Sequence, residues 1–157
     1  TVTGACGPPV RRCAVLTVDA CGGAHCTLTQ GAYGNPNGRF NGLRRQALIT
    51  QLLQGGMTVG VLGTRSLTYS ATSHDAGCII QRLPAGGSSG ALPDFGDETL
   101  DSDCQTSPTP IPLNSDGRYD NVFLGQMVTL SLNLRLSDAD LEDVAEALQD
   151  VAREFRR

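Results

Sequence analysis

The sequence predicts an α+β fold, a single loop-rich and disulfide-pinned domain with a few short strands and about three helices. Segments with helical spacing and segments with strand-like composition both occur along the 157 residues, a length typical of one domain. The 19 Gly and 8 Pro indicate many turns, and 39% apolar residues with only 4% aromatic residues indicate a thin core. Disulfides suit such a chain, because each cross-link restricts the unfolded chain and thereby raises the free energy of unfolding by roughly 2–4 kcal/mol.

The cysteine framework predicts an oxidising, extracellular compartment. The count is even, and four of the six cysteines fall within the first 26 residues. Such a pattern is typical of secreted and cell-surface proteins, since a reducing cytosol keeps thiols free. Six cysteines allow 15 pairings, and loop closure favours partners that are close in sequence. The bridges predicted on this basis are Cys6–Cys13, Cys21–Cys26 and Cys78–Cys104.

The chain divides into three predicted segments: a cysteine-rich N-terminal arm (1–42), an α+β core (43–136) and a C-terminal amphipathic helix (137–157). The arm is predicted to be irregular, apart from one short strand over residues 13–18. The core is predicted to begin with a helix over residues 43–54. Asn41 is the expected N-cap of this helix, and Gly55-Gly56 is its expected stop.

Short strands are predicted to follow in the core. Residues 57–63 and 66–70 have strand-like composition and are expected to pair through a turn around Gly63. Residues 78–83 are predicted to form another short strand. The stretch from 84 to 112 is rich in Pro, Gly, Ser and acidic residues, which predicts a loop held by its cysteine.

Residues 120–136 fit two periodic patterns. Apolar and polar residues alternate from Val128 to Leu136, which indicates a strand. An uninterrupted segment of this length is unusual for a strand. Periodicity alone leaves both structures open, because a helical stripe is formed by Phe123, Met127, Leu130 and Leu134.

Residues 137–157 carry the clearest helical pattern of the chain. Ser137 is the predicted N-cap, and Asp140 lies at the third helical position, as in a capping box. Acidic residues lie at the start and arginines at the end, which suits the helix dipole. Such a stripe usually faces its own core, and its coiled-coil-like spacing also suits a neighbouring subunit. The residues predicted as subunit contacts are Leu141, Val144, Leu148, Val151 and Phe155.

Two short segments repeat one pattern. Residues 35–42 and 114–121 share the pattern Asn-x-(Asn or Asp)-Gly-Arg-aromatic-(Asn or Asp), in which x is any residue. We predict that the Asn or Asp side chains cap a turn and that the aromatic residue enters the core. Gly38 and Gly117 are predicted to adopt positive φ angles.

No motif predicts catalysis, so the chain is not expected to be an enzyme. Residues 86–90 match Gly-x-Ser-x-Gly as a string, but a nucleophile elbow needs a strand before it, a helix after it and a late histidine. His25 and His74 both lie upstream, and His74-Asp75 offers no identifiable acid–base pair. His25 also lies within the cysteine-rich stretch 21–26, whose spacing does not give the paired ligands of a zinc site. No cofactor is therefore predicted, apart from the calcium alternative.

Calcium and sugars are the ligands that the sequence leaves open. Two stretches could supply oxygen ligands, although hard cations need six to eight oxygens and neither stretch follows the EF-hand order. The absence of Trp makes a poor stacking platform for sugars and leaves only the tyrosines. The candidate oxygen ligands are Asp94, Asp97, Glu98, Asp101, Asp103, Asn114, Asp116 and Asp120, and the candidate stacking residues are Tyr33, Tyr69 and Tyr119.

Charge and hydropathy exclude two classes of partner. The net charge is −4, which argues against nucleic acid because phosphates need a basic footprint. No apolar run approaches the ~20 residues of a membrane span. All 12 cationic residues are Arg, which excludes a lysine isopeptide bond or Schiff base.

The stretch Cys26-Thr-Leu-Thr-Gln-Gly resembles the opening of a module that recurs in secreted and cell-surface bacterial proteins. The closing segment of that module resembles residues 125–134, which include Gln126 and Leu132-Asn133. The resemblance covers about residues 26–136 and implies a cell-surface location and a helical closing segment. It implies no catalytic activity. The Trp-Lys that usually follows the opening is replaced by Ala32-Tyr33-Gly34.

These observations predict a secreted bacterial structural or adhesive protein, which self-assembles into a homo-oligomer, a filament or a surface layer. The N-terminal arm and the C-terminal helix are the predicted contacts between copies. The alternative is a secreted module that binds a glycan or another surface ligand with the help of calcium.

Overall fold

The computed structural model describes residues 27–92, 94 and 96–136, in which helices and strands combine as an α+β fold. The predicted strand 13–18, the predicted bridges Cys6–Cys13 and Cys21–Cys26 and the C-terminal helix with its five contact residues lie outside the described residues. The described elements in chain order are α1 (Gln30–Tyr33), β1 (Arg39–Phe40), β2 (Leu43–Arg44), α2 (Arg45–Leu52), β3 (Met57–Val61), β4 (Arg65–Tyr69), α3 (Ser73–Arg82), β5 (Gly96–Thr99) and α4 (residues 122–136).

The larger sheet has the strand order β3-β4-β5. β3 and β4 pair antiparallel, with Met57 opposite Tyr69, so the predicted hairpin around Gly63 is confirmed. β5 adds to β4 in parallel, with Ser66 opposite Asp97. The loop predicted over residues 84–112 therefore contains a strand, which the sequence did not indicate because its acidic and glycine residues are poor strand formers.

The first predicted helix of the core is confirmed, but it begins later than predicted. α2 has Arg44 as its N-cap residue, and no side chain caps it. Asn41 is not the cap, because Asn41 (φ +46°) and Gly42 (φ +81°) form the turn between β1 and β2. Residues 27–42 are also less irregular than predicted, since they contain α1 and β1.

The strand predicted over residues 78–83 is wrong, because these residues belong to α3 and the turn after it. Thr72 caps α3 by accepting a hydrogen bond from the Asp75 backbone N–H at 3.0 Å. Asp75 in the first turn and Arg82 in the last complement the helix dipole. Ala76 and Ile79 are fully buried on one face, as the 3.6-residue period requires.

Residues 122–136 form a helix, which settles the ambiguity between helix and strand. Asn121 caps it by accepting a hydrogen bond from the Leu124 backbone N–H at 3.2 Å. The inner face of α4 packs into the core through residues that are no more than 3% exposed: Leu124, Val128, Leu132 and Leu136.

Aromatic side chains occupy the centre of the core despite their small number. Tyr33, Tyr69 and Tyr119 are all completely buried. The hydroxyls of Tyr69 and Tyr119 lie 3.0 Å apart, so each finds a polar partner inside the core. Burial raises the pKa of Tyr119 to about 12 and also raises the pKa of Tyr69. All three tyrosines are therefore structural and cannot stack on a sugar, contrary to the stacking role considered from the sequence.

Candidate functional site

The predicted disulfide between Cys78 and Cys104 is present, and it joins α3 to the loop after β5. Cys78 is completely buried and Cys104 is 8% exposed. Cys104 has a φ of +58°, in the left-handed region that side chains other than glycine rarely adopt. The covalent bond therefore holds a backbone conformation that the loop sequence alone does not favour.

His74 lies over this disulfide, with its ring nitrogens 3.7 and 3.8 Å from the Cys78 Sγ. Both nitrogens have oxygen partners, since Nδ1 lies 3.0 Å from the Asp75 Oδ1 and Nε2 lies 3.2 Å from the Ser102 carbonyl oxygen. The bond to Asp75 and then the bond to the Ser102 carbonyl raise the pKa of His74. An imidazole held in this way is an orienting group and has no nitrogen free to act as a base.

His74, Cys78 and Cys104 also form the cluster of ligand types that lies close enough to hold a metal ion, with ligand atoms within 4.8 Å of one another. A metal would need the cysteines as thiolates, whereas both sulfurs are bonded to each other. The cluster in its disulfide form is thus a cross-linked corner of the fold.

We expect the stability of the protein to depend on pH through His74. Folding raises the pKa of His74, so protonated His74 stabilises the folded state. This contribution to stability is complete below the unfolded pKa of about 6.5 and is lost as pH rises through the higher folded pKa. Thermal melts from about pH 5 to pH 8 should show this loss in the wild type and not in His74→Gln. Identical profiles for wild type and His74→Gln would contradict the assignment.

Arg82 is the second anchor of the disulfide loop. Its side chain is 5% exposed, and the guanidinium donates to three backbone carbonyls from two loops. Nη2 lies 2.8 Å from the Asp103 oxygen and 3.0 Å from the Cys104 oxygen, and Nη1 lies 2.6 Å from the Gly117 oxygen. No sequence pattern indicates this role, because the acceptors are main-chain atoms that only the tertiary fold brings together.

The two repeated turns each pack against a buried arginine. In both turns the predicted cap is confirmed, since Asn35 Oδ1 and Asn114 Oδ1 each accept the N–H two residues later at 3.0 Å. Gly117 has a φ of +72°, as predicted. The prediction is wrong for Gly38, whose φ angle is not positive. A Cβ atom on Gly38 would lie 2.9 Å from the Arg45 Nη2 and 3.1 Å from the Asn35 carbonyl oxygen, so a side chain there would require the arginine to shift.

Arg45 differs from Arg82 in how its donors are used. Its guanidinium carbon lies 5.8 Å from the centre of the Tyr33 ring, and its side chain is 4% exposed. Nε and Nη1 find no hydrogen-bond partner among the residues that the structure describes. Burial lowers the pKa of Arg45. The aromatic residues of the repeat also differ, since Tyr119 is fully buried and Phe40 only partly.

Two of the acidic residues considered as calcium ligands, Asp97 and Asp101, hold backbone turns. Asp97 accepts hydrogen bonds from the Ser66 hydroxyl at 2.6 Å and the Gly63 N–H at 2.8 Å, which lower its pKa. Asp101 Oδ1 accepts the N–H groups of Asp103 and Gln105. Within the described ranges, no three of these carboxylates come close enough together to share a metal ion.

Residues 86–90 do not form a nucleophile elbow. They follow the end of α3 as a loop, and neither a strand before them nor a helix directly after them occurs in this described stretch. The Gly86 N–H donates to the Tyr119 carbonyl at 2.8 Å, and the Asn121 side chain donates to the Gly90 carbonyl at 2.9 Å. The predicted loop is thus confirmed, and these two hydrogen bonds hold it to residues 119 and 121. The cysteine-rich stretch 21–26 lies outside the described residues.

The opening and closing segments of the resemblance meet in space. The Asn133 amide pairs with both backbone groups of Leu28, at 2.8 and 2.9 Å, and also accepts from the Tyr33 hydroxyl. Gln30 accepts the Ala85 N–H at 2.8 Å. Gly125 leaves room for this contact, because a Cβ there would lie 2.5 Å from the Gln30 Oε1. These residues join the start and the end of the described chain.

A groove of about 420 Å³ lies beside this junction, between residues 28–31 and α4. Thr129 is one of its lining residues, and the buried hydroxyl of Thr129 has no hydrogen-bond partner within the described part of the chain. Leu130 forms part of its rim.

The outer face of α4 is apolar and open to solvent. We use this name for Phe123, Met127, Leu130 and Leu134, of which Met127 is partly buried. The other three side chains are 52%, 53% and 60% exposed, in that order. One helix of a small domain thus presents apolar residues both to its core and to solvent, which is typical of an interaction surface. The sequence had indicated this stripe as a helical pattern without locating its exposed side.

No protein-family model matches the chain, and no curated protein or solved structure matches it either. None of the helices in the described part combines the length and the apolar character that crossing a bilayer requires.

Proposed function

We propose that this chain is an exported structural or adhesive module of bacterial cell surfaces, which associates with further copies of itself as a subunit of a filament or surface layer. The exposed outer face of α4 carries the proposal. Exposing three large apolar side chains on one helix face to water is unfavourable. A partner that covers them lowers the free energy.

The anchoring of the loops supports a role that demands durability. The Cys78–Cys104 bridge and the Arg82 guanidinium fix the same loop to α3 by independent means. A disulfide is compatible with an oxidising environment outside the cytosol. The histidine at this corner has both nitrogens occupied, which supports a scaffold in preference to an enzyme.

The alternative of a sugar-binding module receives less support. Its stacking residues would be the tyrosines, and all three are buried. Its calcium ligands would be the loop carboxylates, of which Asp97 and Asp101 are engaged by backbone N–H groups. The structural role is therefore the function that we propose.

The proposal predicts self-association of the purified, oxidised chain. Sedimentation velocity from low micromolar to near-millimolar concentration should show a mass that rises above the 16.5 kDa of one chain. Negative-stain electron microscopy of the concentrated sample should show assemblies. A single monomeric species over the whole concentration range would contradict the proposal.

A further inference from the structure

The corner that the disulfide cross-links contains the ligand types of a zinc site. His74, Cys78 and Cys104 bring one imidazole and two sulfurs within 4.8 Å of one another. Imidazole nitrogens and thiolate sulfurs are ligands that Zn²⁺ prefers, whereas calcium and magnesium take oxygen ligands. The bridge occupies both sulfurs in the oxidised chain, so a metal can bind here only when the chain is reduced.

The spacing of two of these residues along α3 suits a shared metal ion. His74 and Cys78 are four residues apart, so they lie one turn apart on the same face of the helix. The His74 Nε2 lies 3.7 Å from the Cys78 Sγ. A nitrogen and a sulfur bound to one tetrahedral zinc lie about 3.6 Å apart, because the two bonds are about 2.1 and 2.3 Å long. These two ligands therefore already have the separation that a zinc ion requires.

Asp75 holds the His74 imidazole as carboxylates hold the histidines of metal sites. Its Oδ1 lies 3.0 Å from the Nδ1 of His74, and its Oδ2 accepts the Ser70 N–H at 2.6 Å. Asp75 is only 7% exposed, so the carboxylate is itself fixed. A carboxylate on one ring nitrogen orients the other nitrogen toward the metal. On binding, Nε2 would exchange its contact with the Ser102 carbonyl for the metal ion.

Cys104 is held beside α3 by contacts that do not involve its sulfur. Its carbonyl accepts a hydrogen bond from the Arg82 Nη2 at 3.0 Å, and its N–H donates to the Asp101 carbonyl at 3.1 Å. These contacts favour a position close to Cys78 after the bridge is reduced. The two sulfurs then need to separate to about 3.8 Å, the distance between two thiolates on one tetrahedral zinc. Rotation about the side-chain bonds of the cysteines supplies such a change.

We propose that the reduced chain binds one Zn²⁺ through His74, Cys78 and Cys104, and that formation of the bridge releases the ion. Binding forms two Zn–S bonds and one Zn–N bond, and the thiols release their protons to solvent. Three protein ligands leave the fourth position to water. The His74 side chain is 45% exposed, so the ion reaches the cluster directly from solvent.

Release follows from the electron balance of bridge formation. A disulfide oxidant takes two electrons from the two thiolates and is itself reduced to two thiols, with two protons from solvent. The new bond between Cys78 and Cys104 uses the sulfur electrons that held the ion, so both Zn–S bonds break. Under the export proposed above, zinc would link α3 to the loop while the chain is in a reducing cytosol, and the disulfide would do so afterwards. This inference goes beyond the proposed function and does not depend on self-association.

Zinc uptake by the full reduced chain tests the site. Wild type that has been reduced with a phosphine and freed of metal should take up one Zn²⁺ per chain more than Cys78→Ala/Cys104→Ala does. Competition with a chromogenic chelator measures the uptake. The difference excludes zinc held by the other four cysteines, because both proteins share them. Equal uptake by the two proteins would overturn the proposal.

The role of His74 is tested by affinity. His74→Gln keeps both cysteines, and it is isolated with the bridge formed so that its folding is checked before reduction. Its dissociation constant for the additional Zn²⁺ should rise at least roughly tenfold, the loss typical of damage to a metal site. Gln51→Ala changes an exposed polar side chain on α2 and is the control, which should leave the dissociation constant unchanged. An unchanged affinity in His74→Gln would overturn this set of ligands.

Oxidation of the zinc-loaded wild type tests the release. Oxidised glutathione should free the additional Zn²⁺ as the Cys78–Cys104 bridge forms, and the chelator and peptide mapping follow the two events together. Zinc that stays on the chain after this bridge has formed would overturn the proposal. A chain that binds and releases zinc but remains monomeric at every concentration would confirm this site and contradict the proposed function alone.

Discussion

Removal of the Cys78–Cys104 bridge is expected to lower the free energy of unfolding by about 3.5 kcal/mol. The two cysteines are separated by 26 residues, and the loop-closure entropy that the bridge removes from the unfolded chain has about this magnitude. Cys104 would also lose the bond that holds its φ at +58°. The double variant Cys78→Ala/Cys104→Ala leaves no free thiol at this corner, and urea unfolding without reductant measures the loss.

Repeating this measurement with an added dithiol reductant supplies the control. The reductant breaks the bridge in the wild type and acts equally on the cysteines that both proteins share. The difference between wild type and double variant should therefore shrink to the smaller effect of replacing two thiol groups by hydrogen atoms. A difference below about 1 kcal/mol in the oxidised samples would show that the folded loop gains little from the bridge.

The predictable parts of the fold are those in which neighbouring residues decide the structure. The β3–β4 hairpin follows from two strand-like runs around Gly63, and α2 follows from its apolar spacing. The start of α2 was wrong because Asn41, a good capping residue, is used in the turn of the small hairpin. Asn41 does stabilise a turn of the backbone, but that turn belongs to the β1–β2 hairpin and not to the start of α2.

The prediction of a strand over residues 78–83 failed because it considered only the residues from Cys78 onward. From Cys78 onward, two isoleucines in succession favour a strand. The helix signal lies upstream, in the Thr72 cap and the acidic first turn at Asp75. Ser, Thr and His in this stretch also occur in turns, so residue types alone do not mark the start of the helix.

The ambiguity of residues 120–136 has a physical origin in the two apolar faces of α4. Even-numbered residues from Val128 to Leu136 are apolar, which resembles a strand. In the helix these residues alternate between faces, since Val128 and Leu132 pack inward while Leu130 points to solvent. A helix with apolar residues on both sides therefore produces an alternating sequence. Contacts outside the domain, as proposed above, would account for a pattern that a simple amphipathic helix does not have.

The contacts that hold the loop around Cys104 to α3 could be predicted only in part. The Cys78–Cys104 pairing followed from nearness in sequence. The roles of His74 and Arg82 could not follow, because their partners are carbonyl oxygens whose positions depend on how distant loops pack. Sequence patterns identify side chains that are able to form hydrogen bonds, and the tertiary fold decides which main-chain groups those side chains contact.

Replacing Arg82 with Met is expected to lower the free energy of unfolding by about 3 kcal/mol. Met keeps most of the length and apolar contact of the side chain but donates no hydrogen bond. The carbonyls of Asp103, Cys104 and Gly117 would then lose a charged donor, and hydrogen bonds to charged groups contribute about 1.5–3 kcal/mol each. The cost of burying the guanidinium disappears as well, which keeps the total below the sum of the bonds.

Urea unfolding of Arg82→Met beside Arg44→Met tests this prediction. Arg44 is exposed, so its replacement should change stability by no more than about 0.5 kcal/mol. Equal effects of the two substitutions would contradict the buried role of Arg82.

Combining Arg82→Met with the loss of the disulfide tests whether the two anchors hold the same loop. Once the bridge is gone, the loop around Cys104 can move away from α3, and two of the three carbonyls that Arg82 binds move with it. The guanidinium then loses most of what it stabilises. The combined loss of stability should therefore be smaller than the sum of the separate losses by at least about 1 kcal/mol. Strict additivity would mean that each anchor acts on a different part of the structure, with Gly117 as the main partner of Arg82.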